Sequence, residues 1–337
     1  MARRSHAATI ADVATHAGVS PATVSRVMNG RFVGEPAVAE RVRASAAALD
    51  YRPSHLARSL ALGQTSAVAF VVPDLANPAF QAVLSSISKT AAHDGYRVLV
   101  ADSAESPSDE PLLAAEVRRR CDAIVLCAPR MSDDELAALA GELQPLVLIN
   151  RTHPGIPAPS LAIDYQSGIV KLAQHLHELG HTRMVYLEGP ESSVSNRQRI
   201  LGLDEFVART PGVRIDRMPA GAGAEDGRAA ATKVRDSTAT AVLAYNDLVA
   251  IGLIDGLQEL GVSVPDDVSV TGFDDIPFAR YTSPALTTAS VPHAELGAQA
   301  WRRMISLIRH EPPEHDVQFQ PRLEIRRSTA PAPAVAP

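Results

Sequence analysis

Cysteine is nearly absent from this 337-residue chain: Cys121 and Cys127 are the whole supply. Two thiols cannot form a disulfide framework. They fit a reducing compartment, in the expected role of small buried residues flanking a strand. Lysine is almost as scarce, at positions 89, 171 and 233 only, so arginine carries nearly all the positive charge. Aromatic residues make up 4%, which leaves few rings to stack on a ligand. No apolar run approaches the roughly 20 residues of a bilayer-spanning helix. Arg3-Arg4 is followed by Ser5, His6, Thr9 and Asp12 rather than an apolar core. No secretory signal is therefore expected, and the expected location is the cytoplasm. No phosphate loop occurs, and no G-x-G-x-x-G follows a strand. The usual signatures of a nucleotide-dependent enzyme are missing, and no cofactor is implied.

What is present organises itself around residues 9–30, TIADVATHAGVSPATVSRVMNG. Ile10, Val13 and Ala14 have the three-four spacing of a helix, and Gly18 can take the left-handed conformation that ends it. Ser20 reads as the N-cap of a second helix with Pro21 as its first residue, where a missing N–H costs nothing. Val24, Val27 and Met28 turn inward, and Asn29-Gly30 stops the helix. Two helices around a short glycine-containing turn, with small polar residues on the outer face of the second, make a helix-turn-helix. A third helix over 37–49 presents Val38, Val42, Ala46 and Leu49. The charge agrees: eight arginines against four carboxylates give the first sixty residues a net +4, so the rest of a chain at −6 carries −10. A basic small domain on an acidic body is the footprint of a phosphate-binding head.

From Ser66 onward, apolar runs alternate with amphipathic stretches. Strands are expected at 67–72, 97–101, 123–127, 146–149, 184–187, 241–244 and 269–271. Helices are expected at 80–93, 111–119, 133–143, 165–179, 198–209, 226–236, 247–260 and 294–309. This alternation predicts parallel sheets covered by helices on both faces. A pause near 158–164 divides it into two Rossmann-like lobes. Ligands in such folds sit beyond the carboxyl ends of the strands.

In order and spacing, TIADVATHAGVSPATVSRVMNG, YRPSHLARSLALG, VVPDLANPAF, HLHELGHTRMVYLEGP, SSVSNRQR, AVLAYNDLVAIGLIDGLQELGVSVPDDVSVTGFDD and SPALTTAS resemble the LacI/GalR family of bacterial transcription regulators, over nearly the whole chain. The resemblance implies an N-terminal all-α helix-turn-helix head plus an α/β periplasmic-binding-protein-like body of two Rossmann-like lobes. Head and hinge helix would occupy 1–62, the effector-binding and dimerisation domain 63–330, and a disordered tail 331–337. The implied partners are double-stranded DNA carrying a palindromic operator, a sugar-like effector and a second copy of the chain in a homodimer, with no membrane. By position, Pro21, Ala22 and Arg26 would read base edges, Thr23 and Ser25 would touch phosphates, and Leu60 would wedge into the minor groove beside Ala57 and Arg58. The segment 54–62 is too short to persist as a helix alone, consistent with a hinge that folds on DNA. One departure is VGEPAVAERV, whose Val38 and Ala39 offer no hydrogen bonds to phosphate. Arg31, Arg41 and Arg3-Arg4 are expected to compensate.

Candidate effector residues follow the strand ends: Asp74, Asn77 and Phe80; Pro129 and Arg130; Asn150 and Arg151; Arg197; Asn246; Phe273 and Asp274. Arginine, asparagine and aspartate together can clamp vicinal hydroxyls. Asp247 is expected to cap the helix that follows it. Ala79 and the ring-free GAGAEDGRA (221–229) stand where relatives often place aromatics, leaving Phe80, Phe273 and Tyr281 for stacking. A small polyol, a short sugar and an acidic ligand held by Arg151 and Arg197 all remain compatible. A sugar-binding transport protein is the alternative, but it would need a signal peptide and no basic head. His177-Glu178-Leu179-Gly180-His181 matches the zinc motif H-E-x-x-H. Gly180 is expected to end the helix before His181 can stack above His177, so no metal is assigned.

Overall fold

The computed structural model describes residues 8–28, 30–51 and 64–333. They divide into two units, Met1–Thr65 and Ser66–Pro337. The smaller unit holds α1 (Ile10–Ala17), α2 (Pro21–Met28) and α3 (Pro36–Ala48). Thr9 and Asp12 close a capping box on α1, and Gly18, at φ 66°, ends it with its N–H on the Ala14 and Thr15 carbonyls. The Ser20 hydroxyl accepts from the Thr23 N–H at 3.1 Å, so Ser20 caps α2. Val13, Ala14, Ala17, Val24, Val27, Ala39, Val42 and Ala46 form a core of their own. α3 buries Val42 and Ala46 as expected, with Ala39 rather than Val38 beside them.

The body runs β1 (Ala67–Val72), α4 (Pro78–His93), β2 (Arg97–Asp102), α5 (Glu110–Arg118), β3 (Ala123–Cys127), α6 (Asp133–Leu143), β4 (Leu146–Ile149), β5 (Ser160–Ile163), α7 (Tyr165–Glu178), β6 (Arg183–Glu188), α8 (Val194–Arg209), β7 (Arg214–Pro219), α9 (Ala224–Arg235), β8 (Ala241–Ala244), α10 (Asp247–Glu259), β9 (Ser269–Asp274), a 3-10 turn (Pro277–Arg280), β10 (Thr287–Ser290), α11 (His293–Ile308), β11 (Val317–Phe319) and β12 (Arg322–Glu324). Two six-stranded sheets result, ordered β11-β5-β4-β3-β1-β2 and β12-β10-β9-β8-β6-β7. Every neighbouring pair is parallel except β10 with β12. The central strands are continuous apolar runs because helices cover both faces; all five residues of β3 are buried. The chain crosses between lobes after β5, between β10 and α11, and between β11 and β12. α11 and β11 thus complete the first lobe from far along the sequence.

Four expectations change. The pause at 158–164 is β5, and β7, β10, β11 and β12 also went unpredicted. α8 starts at Val194, capped by Ser193, four residues before the expected start. Asp247 is not a cap, since Asn246 takes that place by accepting from the Val249 N–H. The tail is not free from its start: the Ala332 N–H donates to the Leu179 carbonyl at 2.8 Å, and the Ala330 N–H to the Ser269 hydroxyl at 3.0 Å.

α9 and α10 touch backbone to backbone. A Cβ on Gly252 would lie 1.8 Å from the Ala224 carbonyl oxygen, and one on Gly227 would lie 2.0 Å from that of Val249. Gly252→Ala must therefore push two helices apart. The expected loss is about 1–3 kcal/mol of body stability, read as a lower urea midpoint; an unchanged midpoint would refute this close packing.

Candidate functional site

In the smaller unit, α2 turns Val24 and Val27 into the core and leaves Pro21, Ala22 and Arg26 exposed, with Thr23 and Ser25 half-buried beside them. This places apolar and guanidinium groups on one outward face of a short helix, the arrangement that base edges in a major groove accept. Arg41 is partly engaged, its Nε donating to the Ala17 carbonyl at 3.0 Å. The expected minor-groove residues Ala57, Arg58 and Leu60 lie outside the described residues, as do Arg3 and Arg4.

In the body, a cavity lies between the lobes at the carboxyl ends of the strands. The backbone there is bent at four positions that line the cavity: Glu105 after β2, Ala128 after β3, Asn150 after β4, and Asp274 at the end of β9 all have positive φ, between 50° and 109°. Non-glycine residues hold that conformation only where their surroundings fix it. The Ala128 and Asn150 N–H groups donate to Ile149 and Leu161, each at 2.7 Å, and that of Glu105 to Pro73 at 2.7 Å.

The centre of the cavity wall is Arg199, 2% exposed. Its guanidinium carbon lies 4.4 Å from the Tyr165 ring centre, 4.7 Å from Tyr245 and 4.1 Å from Phe273. Such enclosure stabilises a desolvated cation through the ring quadrupoles. The box depends on two glycines: a Cβ on Gly189 would meet the Tyr245 ring at 2.4 Å, and one on Gly168 would meet Phe273 at 2.7 Å. Nε and Nη1 of Arg199 are buried with no hydrogen-bond partner, and Arg199 lines the cavity. Asp274 also lines it, its carboxyl pushed up to about 7 by burial and pulled partly back by Arg199. The second cavity arginine is already spent: Arg130 donates to Glu105 at 2.5 and 2.8 Å and to the Ala128 carbonyl at 3.0 Å.

Of the expected effector residues, the structure brings Asn77, Phe80, Arg130, Asn150, Asn246 and Asp274 to this cavity. It does not bring Arg197, which is exposed and donates to the Glu191 and Ser192 carbonyls at 3.3 Å. Arg197 and Arg199 are about 200° apart around α8; starting that helix at Gln198 put Arg197 in a loop and hid this. Arg151 is buried against Asp133, Pro129 and Met131 as a structural clamp. Asp74 stabilises its own turn, accepting from the Ala76 N–H at 2.7 Å. Phe273 lies beneath Arg199 rather than in the open cavity. Sequence reasoning missed Arg199, Tyr165, Tyr245, Glu105, Ser195 and His293; Tyr245 and Tyr165 each directly follow or begin an element, which is the signal that could have found them.

The histidines of H-E-x-x-H part company. His177 sets its ring edge-on to Phe206. His181, after Gly180 at φ 90°, turns inward to Thr240 and Ser269 at 2.8 and 3.1 Å. Both cysteines are buried, and burial pushes the Cys127 thiol up to about 12. Among the described residues no helix is long and apolar enough to cross a membrane.

A helix-turn-helix on one unit and a polar interlobe cavity in the other define a DNA-binding regulator with an effector-binding body. Residues 9–54 match the lacI family of bacterial regulatory proteins, and 173–329 match a periplasmic binding protein-like domain. The chain is 34% identical to the HTH-type transcriptional regulator GalR of Escherichia coli K12 over 334 residues, covering 97% of each. It superposes on the lac repressor dimer bound to operator and the anti-inducer ONPF with a TM-score of 0.85 at 26% identity, covering 96% of this chain and 100% of that one. A ribose-bound LacI family regulator from Enterococcus faecium gives 0.70 at 28% identity, covering 79% and 99%. The chain belongs to the lacI family of bacterial transcription regulators. A relative matched along its whole length, head included, also sets the transport-protein reading aside.

Proposed function

We propose that the protein is a cytoplasmic, non-enzymatic repressor that binds a palindromic operator as a homodimer and changes its grip when a sugar-like polyol enters the interlobe cavity. One observation carries the effector reading: Arg199, whose Nε and Nη1 are buried without hydrogen-bond partners, and Asp274 line the same cavity. A hydroxyl group both accepts and donates, so vicinal hydroxyls satisfy both at once. Asn77, Phe80, Asn150 and Asn246 complete the ring of contacts, and Phe273 supports Arg199 from below. The lac repressor and the ribose-bound regulator have operator, dimer and sugar partners of these kinds. Effector binding acts only through different affinities for two arrangements of the lobes, transmitted through the segment holding Ala57, Arg58 and Leu60.

A thermal-shift screen against sugars, polyols and nucleobases, followed by operator binding with each hit, tests this. The expected result is a stabilising sugar or polyol that alters operator affinity. A hit confined to nucleobases, or a hit without effect on DNA binding, overturns it. On the head, Arg26→Ala is expected to remove about 1–3 kcal/mol of discrimination at one base pair. A binding-site selection giving the same preferred sequence as the wild type would exclude Arg26 from base reading.

A further inference from the structure

Glu110 opens α5 with a fully buried carboxylate, an unfavourable place for a charge unless its oxygens are used. Its Oε2 accepts from the backbone N–H of Arg130 at 2.6 Å and from that of Met131 at 2.7 Å. Its Oε1 accepts from the Ser103 hydroxyl at 3.4 Å. Burial pushes the carboxyl up, and the Met131 and Arg130 N–H groups pull it partly back. Both main-chain donors belong to the bend that follows β3, where Ala128 has a φ of 50°. Arg151 grips the same bend by its carbonyls, donating to Pro129 at 3.3 Å and to Met131 at 2.9 Å. An anion on the N–H groups and a cation on the carbonyls thus hold one bend from two sides.

What the bend carries is Arg130, whose guanidinium donates to the Glu105 carboxylate at 2.5 and 2.8 Å and to the Ala128 carbonyl at 3.0 Å. Arg130 and Glu105 both line the interlobe cavity, and they come from different strand ends, Glu105 after β2 and Arg130 after β3. Glu110 belongs to the chain that leaves β2, so its bonds to the Arg130 and Met131 N–H groups tie the two strand ends through the main chain. An ion pair between long side chains is held in one geometry only when the groups behind it are fixed too. Within the pair the Arg130 side chain is 2% exposed and that of Glu105 25%. Resting on the effector reading above, we propose that Glu110 is a positioning residue for the effector cavity. It fixes the Arg130 main chain against the loop of Glu105, so that the pair stands as one wall and the Glu105 carboxylate is the part presented to a guest.

The test uses the whole chain and needs no ligand. Its readout is the Arg130 Nε–H signal in a nitrogen–proton NMR spectrum, set apart from exposed arginines by its bond to Glu105 and assigned by its loss in Arg130→Lys. Glu110→Gln is expected to keep that signal, because the amide oxygen still accepts from both main-chain N–H groups while its NH2 meets the Ser103 hydroxyl. Glu110→Met has similar length and no comparable acceptor. It is expected to move the signal in among the exposed arginines, with operator binding as the check on folding. An Arg130 signal unchanged in Glu110→Met overturns the proposal, and so does one lost equally in Glu110→Gln. If the methionine variant does not fold, hydrogen exchange on the wild type decides. The Arg130 and Met131 amides are expected to exchange about a hundredfold slower than exposed loop amides, and exchange at the exposed rate overturns the assignment. No sugar enters these measurements, so a negative result here leaves the polyol reading standing, and a wild type that binds no sugar leaves the Glu110 result standing.

Discussion

Arg199→Leu should leave operator binding intact and remove the effector response. The guanidinium is held between rings, with Nε and Nη1 offering donors that the protein itself does not use. A hydrogen bond from a charged donor is worth about 1.5–3 kcal/mol, so losing two weakens effector binding by about a hundredfold or more. Leucine keeps an apolar filling among Tyr165, Tyr245 and Phe273, which favours a folded variant. Arg199→Lys should do little better, because an ammonium lacks the planar fork that spans two acceptors while sandwiched between rings. Arg197→Ala, two residues away, should behave as wild type because, among the described residues, that side chain bonds to the Glu191 and Ser192 carbonyls outside the cavity. Calorimetric titration with the sugar found by thermal shift, paired with operator release, checks all three. Normal release by that sugar from Arg199→Leu would remove Arg199 from the site.

Asp274→Asn should make the protein more stable than the wild type at pH 8, and by less at pH 4.5. Burial pushes the Asp274 carboxyl up to about 7 from the ordinary 3.8. Between those values the folded state keeps a proton that the unfolded chain has released. It therefore binds more protons, and stability falls as pH rises, the fall being complete above about 7. The whole window corresponds to roughly 4 kcal/mol. His293, whose ring nitrogen contacts the Asp274 carbonyl at 3.1 Å, acts in the opposite sense. Burial pushes it down to about 4, so it contributes a rise in stability up to about pH 6.5. Asp247, raised by burial and then by Asp274, slopes with Asp274. The wild-type curve is thus a sum of opposing slopes, and the signature lies in its difference from Asp274→Asn, measured by urea unfolding at the two pH values. An equal gap at both would show that Asp274 is ionised throughout.

The three described helices of the head could be read from the sequence, because their signals are local. Gly18 and Ser20 fix two helix ends by backbone geometry and a single hydroxyl, and the three-residue turn leaves no other register. The central strands β1, β3, β4 and β8 were equally legible as continuous apolar runs. β7 reads Arg-Ile-Asp-Arg-Met-Pro and is an edge strand with exposed charges; nothing in it alternates. β11 and β12 have three residues each and gain their pairing only from β5 and β10, more than thirty residues distant in the chain. The same distinction governs the site. Asp274 and Asn246 end strands and were found by that rule. Arg199 belongs to the middle of a helix turn whose start was misplaced, and its ring box draws on residues 165, 245 and 273, which only the folded chain assembles. Asp247 likewise serves contacts far away, accepting from the Thr288 hydroxyl at 2.6 Å and the Ile276 N–H at 2.8 Å.

The four bent positions that rim the interlobe cavity have an implication for how this body can be re-specified. At Ala128, Asn150 and Glu105 the shape is held by main-chain hydrogen bonds to Ile149, Leu161 and Pro73, and a wall fixed in this way spares a guest part of the affinity otherwise spent on ordering it. Evolution or an engineer can then exchange Phe80 or Ala222 at the rim for other side chains while the vessel keeps its form. A glycine introduced at Ala128 or Glu105 would ease the bend, and it would also surrender the rigidity that lets one scaffold be retuned from guest to guest.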